Sequence, residues 1–414
     1  MLEKMKSAWR IPELRKKIIY TFGMLLLYRL LCCIPVPGVN IAAVSDAVKN
    51  FSVLDFMNMM TGGSFQNMTI MAMGITPYIN ASIILQLLTV AIPTLEKLAK
   101  EGPEGRKKIT EWTRYLTVAL AFIQAVGLVF AMRANSYGGI WYLVIGVSMA
   151  AGTSLAMWIG ERITENGIGN GISLLIMAGI VSNMFNWSRQ AVVGLIDGTV
   201  GIIAVLVVVL AFLVMIVAIT YVDMGERRIP VQYAKRMVGR KMYGGQSTHI
   251  PMKLNSTGVM PLIFGFAILQ FPATVFAFFP TSGINLWWQG FQSGVWYQVV
   301  LAVLIIAFTY FYTGITFNPA DISKNMQQNG GIIPGIRQGR ATTDYLARVS
   351  SRLTLFSALF LAVLATIPTI ITRLFGVSTP FAASSVLIAV SVGIETIRQI
   401  EAQMVMRHHK GFLG

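Results

Sequence analysis

The sequence predicts an all-α polytopic membrane protein with ten transmembrane helices, and three observations carry that prediction. The chain of 414 residues is 55% hydrophobic and 12% charged, against about 25% charged in ordinary soluble domains. Ten mostly apolar runs lie at 18–34, 74–92, 113–132, 140–160, 171–187, 199–222, 258–280, 297–317, 353–372 and 380–398. Each is close to the roughly 20 residues that a helix rising about 1.5 Å per residue needs to cross hydrocarbon. The basic residues alternate: of 33 Lys and Arg, 28 lie in every second connection, 4 in the others, and Arg29 inside a run. This is the positive-inside pattern, so the formal charge of +16 is a topological address before it is anything else.

The first run is preceded by Lys4, Lys6, Arg10, Arg15, Lys16 and Lys17, and no A-x-A-like cleavage site follows it. It therefore reads as an uncleaved span. Cys32 and Cys33 stand at its outer end. Adjacent cysteines rarely bridge, because their side chains diverge, so they read as two small apolar residues. Arg29 has two open readings: a structural arginine reaching outward along its helix, or one that faces a pore.

The stretch between Pro37 and Gly74 breaks the pattern. NFSVLDFMNMMTGGSFQNMTIMAMG is rich in methionine, half apolar and too short to span. Irregular backbone at membrane depth is tolerated only inside protein or beside an aqueous cavity. Residues 51–69 are accordingly expected to form a short helix re-entering from outside, with flexible methionines suited to repacking. The following run places Ile75 and Ile79 on one helix face and Asn80, Gln86 and Thr89 on another part of its surface.

The basic connections are 1–17, 93–114, 159–170, 223–257, 318–352 and the tail from Arg398; all share one side, expected to be cytoplasmic together with both termini. The other side holds Lys49, Arg133, Arg189 and Arg373, with Trp141, Tyr142, Trp187, Trp287, Trp288, Trp296 and Tyr297 as interface anchors. Connections 223–257 and 318–352 far exceed the two to eight residues that neighbouring helices need. Their basic residues, with turn signals at Gly244-Gly245, Gly330-Gly331 and Pro334-Gly335, suggest ordered fingers suited to an acidic partner such as RNA phosphate. Positive-inside bias alone is the competing explanation. A cut near 190–198 leaves five spans on each side, and halves with an odd number of spans insert in opposite senses. Residues 1–190 and 191–400, followed by a short tail at 401–414, are thus expected to be inverted halves with a pore or binding site between them. The residues themselves show no repeat.

Chemistry is scarce. The one well-embedded ionisable residue in the runs is Arg29, with Glu395 near the inner end of the last, fewer than a coupled transporter normally needs. His249, His408 and His409 all lie in connections, and there is neither an HExxH zinc motif nor a GxxxxGK[ST] phosphate loop. GIGNGIS at 167–173 lies between runs and reads as a turn. No enzymatic activity, metal or cofactor is expected.

One series of motifs goes further: IPVPG (34–38), FMNMMTGG (56–63), GITPYINASIILQLLTV (74–90), EGPEGRKKIT (101–110), ITENGIGNGIS (163–173), YAKR (233–236), QSTHIP (246–251) and IPGIRQG (333–339). In this order, with ten runs in the matching places, the chain resembles the bacterial SecY family of protein-translocation channel subunits. The resemblance implies an hourglass channel between two inverted five-helix halves around a central pore. It implies a pore ring of Ile75, Ile79, Ile176, Ile263 and Ile388, and a plug at 51–69 including Phe56, Met57, Met59, Met60, Gly62 and Gly63. It implies a lateral gate between spans 2–3 and 7–8 with Asn80, Gln86, Thr89, Gln124 and Asn255 as polar contacts. For the ribosome or the SecA ATPase it implies a basic surface of Arg227, Arg228, Lys235, Arg236, Arg240, Lys241, Arg337 and Arg340. The small subunits SecE and SecG, signal peptides, nascent chains and membrane lipid are the further implied partners. Leu31, Cys32 and Cys33 depart from the family, which usually places Gly and a small or polar residue there. A small-solute secondary transporter and a poreless insertion chaperone are the competing readings.

Overall fold

The computed structural model describes residues 11–40, 61–131, 139–198, 201–233, 236–238, 241–243, 247–277, 283–375 and 383–410, with Trp9, Val44 and Asn58. The first half contains α1 (Pro12–Leu31), α2 (Thr76–Ala91), α3 (Pro93–Lys100), α4 (Pro103–Ala131), α5 (Gly139–Asn166) and α6 (Gly171–Ile196). Then come α7 (Ile202–Met224) and four strands, β1 (Glu226–Tyr233), β2 (Arg236–Val238), β3 (Lys241–Tyr243) and β4 (Ser247–Lys253). The chain continues through α8 (Met260–Ala277), α9 (Gly283–Ser293), α10 (Val295–Thr316), α11 (Pro319–Gln328), β5 (Gly331–Ile332), α12 (Arg340–Phe375) and α13 (Ala383–Lys410).

The ten apolar runs lie on α1, α2, α4, α5, α6, α7, α8, α10, α12 and α13. Among the described residues, α4, α5, α6, α7, α10 and α12 are long and apolar enough to cross a membrane by themselves. α2 and α3 make a further candidate, bent by 107° between them. Proline opens α1, α2, α3 and α11, a position where its missing N–H has no partner to lose. The Asn170 carboxamide oxygen accepts from the amides of Ile172 (3.1 Å) and Ser173 (3.3 Å) at the start of α6. Asn318 does the same for Ala320 at the start of α11 (3.1 Å). Each cap satisfies an N–H that the first turn leaves unpaired.

Packing reveals the repeat that the residues hide. In the first half α2 packs on α4, α4 on α5, α5 on α6, and α1 on both α5 and α6. In the second, α8 packs on α10, α10 on α12, α12 on α13, and α7 on both α12 and α13. Taken in chain order, each helix of one half has an equivalent in the other, and five spans per half make the relation inverted. Between halves, the equivalent helices α6 and α13 pack along each other, whereas α4 and α8 touch only sparsely. Each half has its own core, one around Phe65, Met68, Ile145 and Met149, the other around Met215, Leu262, Ile305 and Leu361.

The two long basic connections are joined rather than separate. β1 pairs antiparallel with β4 from Glu226↔Lys253 to Gln232↔Ser247, and β5 adds to the other edge of β1 at Gln232↔Ile332 and Tyr233↔Gly331. Beneath this sheet Ile229, Val231, Met252, Met326, Ile333 and Leu346 form a small apolar core of their own. β2 and β3 pair as a second small ribbon. The described parts of these loops are therefore held by burial, and topology alone does not account for them.

Candidate functional site: an apolar waist between two halves

The five isoleucines named from the sequence come from four helices or their first turns and meet in one cluster. Ile75 (5% exposed) sits just ahead of α2 and Ile388 (4%) on α13. Ile79 on α2, Ile176 on α6 and Ile263 on α8 are half-buried and pack against the same group. α2 and α8 are equivalent helices, as are α6 and α13, so each half contributes from the same two helices, three isoleucines from the first half and two from the second. Tyr28, Met71, Leu174, Ile180 and Val392 surround them. The surface is branched and apolar, offering no hydrogen-bond partner to water or an ion.

The segment leading into this cluster is pinned at its neck. The Val36 amide donates to the Met68 carbonyl (2.9 Å) and the Ile70 amide to the Ile34 carbonyl (2.9 Å), flanking a Pro35–Thr69 bridge. Asn58 and Thr61 are helical, and from 62 to 75 the chain runs through turns broken by the bridge at Thr69. Gly62 (φ +67°) and Gly63 (φ +88°) occupy the left-handed region that glycine enters without penalty. Asn58 organises the turn: its side-chain oxygen accepts from the Gln66 amide (3.0 Å) and its carbonyl from the Gly63 amide (3.0 Å). Phe65, Met68, Met71 and Met73 are fully buried, the first two in the first half's core and Met71 beside the isoleucines. Phe56, Met57, Met59 and Met60 lie outside the described residues.

No hydrogen bond among the described residues joins the five polar residues assigned to a lateral gate to one another. Asn80 and Thr89 are half-buried on α2, with Thr89 donating to its own helix at Leu85 (2.6 Å), and Gln86 is exposed. Gln124 on α4 is half-buried, and its side-chain oxygen has no hydrogen-bond partner among the described residues. Asn255 (4% exposed) accepts from Ser357 on α12 (3.1 Å) and from Thr257 (3.3 Å), so its described bonds stay within the second half.

On the basic face, Arg227, Arg228, Arg337 and Arg340 are exposed, and Arg228 pairs with Glu226 (2.6 Å). The turn carrying Arg337 is held from behind. Thr342 donates to the Arg337 carbonyl (2.8 Å), Ser323 to the Gly339 carbonyl (2.9 Å), and Gln338 to the Gly331 carbonyl (3.1 Å). The guanidinium is thus presented outward on a fixed backbone. Arg236 and Lys241 lie on β2 and β3; Lys235 and Arg240 fall outside the described residues.

Two contacts escaped the sequence reading. The GIGNGIS turn is clasped from both halves: its Ile168 amide donates to the Thr21 hydroxyl on α1 (3.1 Å) and its Gly169 amide to the Gln399 side chain on α13 (2.9 Å). Only the glycines flagged this place, since both partners are more than a hundred residues away. No group of His, Cys, Asp and Glu among the described residues could hold a metal.

A polytopic helical protein with an apolar waist drawn from both of two inverted halves belongs to the class of membrane passages. The SecY family model matches residues 69–397. The protein translocase subunits SecY of Streptomyces scabiei and of Aquifex aeolicus are each 42% identical, over the whole of both chains. A solved protein-conducting channel matches with a TM-score of 0.69 at 20% identity, over 94% of this chain and 92% of that one. Sec61 in a canine ribosome–channel complex matches with a TM-score of 0.66 at 19% identity over the same shares. The chain belongs to the SecY family, and it is a multi-pass membrane protein.

Proposed function

We propose that this protein is the channel through which unfolded secretory polypeptides cross the cytoplasmic membrane of a bacterium, with both termini cytoplasmic. The observation that carries the reading is the waist: five isoleucines from equivalent helices of two halves, at the boundary between them. A ring of branched apolar side chains excludes water and ions by dewetting, yet deforms around an extended chain. Residues 51–69 stopper it from outside, and the methionines around them repack as the stopper moves. The sparse contact of α4 with α8, opposite the α6–α13 packing, is the side on which the halves part. A signal sequence enters there, and a segment apolar enough leaves there into lipid.

The channel is passive, and its motor docks on the basic face. Full-length likeness to bacterial translocase subunits supports SecA, SecE and SecG as partners, and the relative solved in a ribosome complex supports the ribosome. Arg337 on its braced turn is the central contact, with Arg227, Arg228, Lys235, Arg236, Arg240, Lys241 and Arg340 around it. A photoreactive residue at Ile79 is expected to cross-link to a secretory chain stalled in transit; a chain that touches none of the five isoleucines would overturn the reading. Arg337→Glu is expected to stop transport of a signal-bearing preprotein into vesicles without lowering the melting temperature of the complex, because the side chain it replaces faces solvent.

A further inference from the structure

Arg29 is the charge that the proposed function leaves unused. Side chains on a helix lean toward its N-terminus, which for α1 is the basic side. The guanidinium does not reach the outer interface: Nη2 donates to the Ala178 carbonyl in α6. Ala178 is seven residues into that helix, about 10 Å from its start. No carboxylate among the described residues lies within salt-bridge range of Arg29.

The third party is the stopper. A Cβ added at Gly62 would lie 2.7 Å from Arg29 Nη1, 2.8 Å from Nη2 and 2.8 Å from the Gly179 carbonyl oxygen. The stopper backbone therefore lies against both the guanidinium and the α6 backbone at Gly62, where an added Cβ would clash with each, in a left-handed conformation that also favours glycine. Beside it Thr61 and Ser64 are buried, at 2% and 3% exposed. The guanidinium is part-buried, with the Ala178 carbonyl as its partner and the Gly62 backbone as part of its cover. Once the stopper leaves, that cover goes and water reaches the guanidinium.

The geometry points to Arg29 as the residue that positions the stopper, a latch that joins α1, the Gly62 turn and α6 in the closed channel. This rests on the reading of residues 51–69 as the stopper. The latch predicts that loosening it opens the closed state without damaging the passage.

The test uses the whole membrane complex, reconstituted in vesicles, with the chain carrying Ser64→Cys on a Cys32→Ala, Cys33→Ala background. Labelling of the single thiol by a membrane-impermeant maleimide reports on the turn, and resting ion flux reports on the seal. Arg29→Gln is expected to label about tenfold faster, as losing one charge-assisted hydrogen bond implies, and to leak ions. Gly62→Ala, which leaves the arginine intact, is expected to do the same. The double variant is expected to add nothing to either alone, because the two changes break one contact. Arg29→Lys, charged but without the planar fork, falls between. Labelling and flux at parental values in Arg29→Gln and Gly62→Ala overturn the latch, and if Arg29→Gln does not assemble, Gly62→Ala alone decides. Deletion of 55–65 separates the two readings: if the deletion leaks and the point variants do not, only the latch fails. If the deletion does not leak, the stopper falls, and the latch with it.

Discussion

At the scale of single residues, the glycines divide into those that space requires and those that it does not. A Cβ at Gly171 would lie 1.9 Å from the Gly160 carbonyl oxygen and 2.7 Å from Ile163 Cβ. Neither can yield cheaply, since one is backbone and the other is fully buried. Gly171→Ala is expected to lower stability by about 3 kcal/mol or more, at the upper end of overpacking costs, seen as a fall in the melting temperature of the purified complex. Gly314 in α10 meets nothing within 4 Å. Gly314→Ala removes backbone freedom from the unfolded chain, so it is expected to be neutral or to stabilise by about 0.5–1 kcal/mol in the same assay. The sequence cannot separate these two glycines, because both sit in or beside apolar runs. The isoleucines of the waist show the same limit: nothing in their spacing distinguishes Ile176, Ile263 or Ile388 from ordinary packing residues, and only the motifs around them and then the fold bring them together.

Legibility rises at the scale of elements, but only for those that make their own pattern. The ten spanning helices announce themselves because hydrocarbon demands long apolar runs. α3, α9 and α11 do not, being short helices whose apolar stripe is too brief to stand out from the surrounding connection. The β1–β4–β5 sheet was hidden for another reason: its register pairs Tyr233 with Gly331, a long-range choice made by the buried Ile229, Val231 and Leu346 rather than by local signals. Val231 is fully buried under the sheet. Val231→Asp is accordingly expected to unfold this basic platform, with protease cleavage appearing inside 226–253 while the spanning helices stay intact. The α5–α6 turn is an element of the same kind, legible as glycines but not as a clasp. Gln399→Leu removes the acceptor for the part-buried Gly169 amide, and about 1–3 kcal/mol is the ordinary cost of an orphaned buried donor. A matching drop in melting temperature checks it; an unchanged value would place the amide in water.

At the scale of the whole molecule, the two halves are joined unequally, and that inequality decides how they can move. On one side α6 runs along α13, the Gly169 amide meets Gln399, and Trp187 of α6 packs against the second half's core. Near that clasp Leu14, Ile168, Ile400 and Met404 form a small apolar cluster at the basic face. Away from it, among the described residues, α4 and α8 touch sparsely. Rigid bodies tied along one edge separate by rotation about that edge, and packed cores resist deformation, so motion concentrates where contact is least. Two covalent cross-links therefore have opposite expected outcomes. A link joining α4 to α8 is expected to stop transport of a signal-bearing preprotein, with release by reduction restoring it. A link between positions 169 and 399, whose amide and side-chain oxygen already stand 2.9 Å apart, is expected to leave transport at the uncross-linked rate. Comparable inhibition by both links would mean that the halves slide or separate as a whole, and would remove α6 and α13 from the role of hinge.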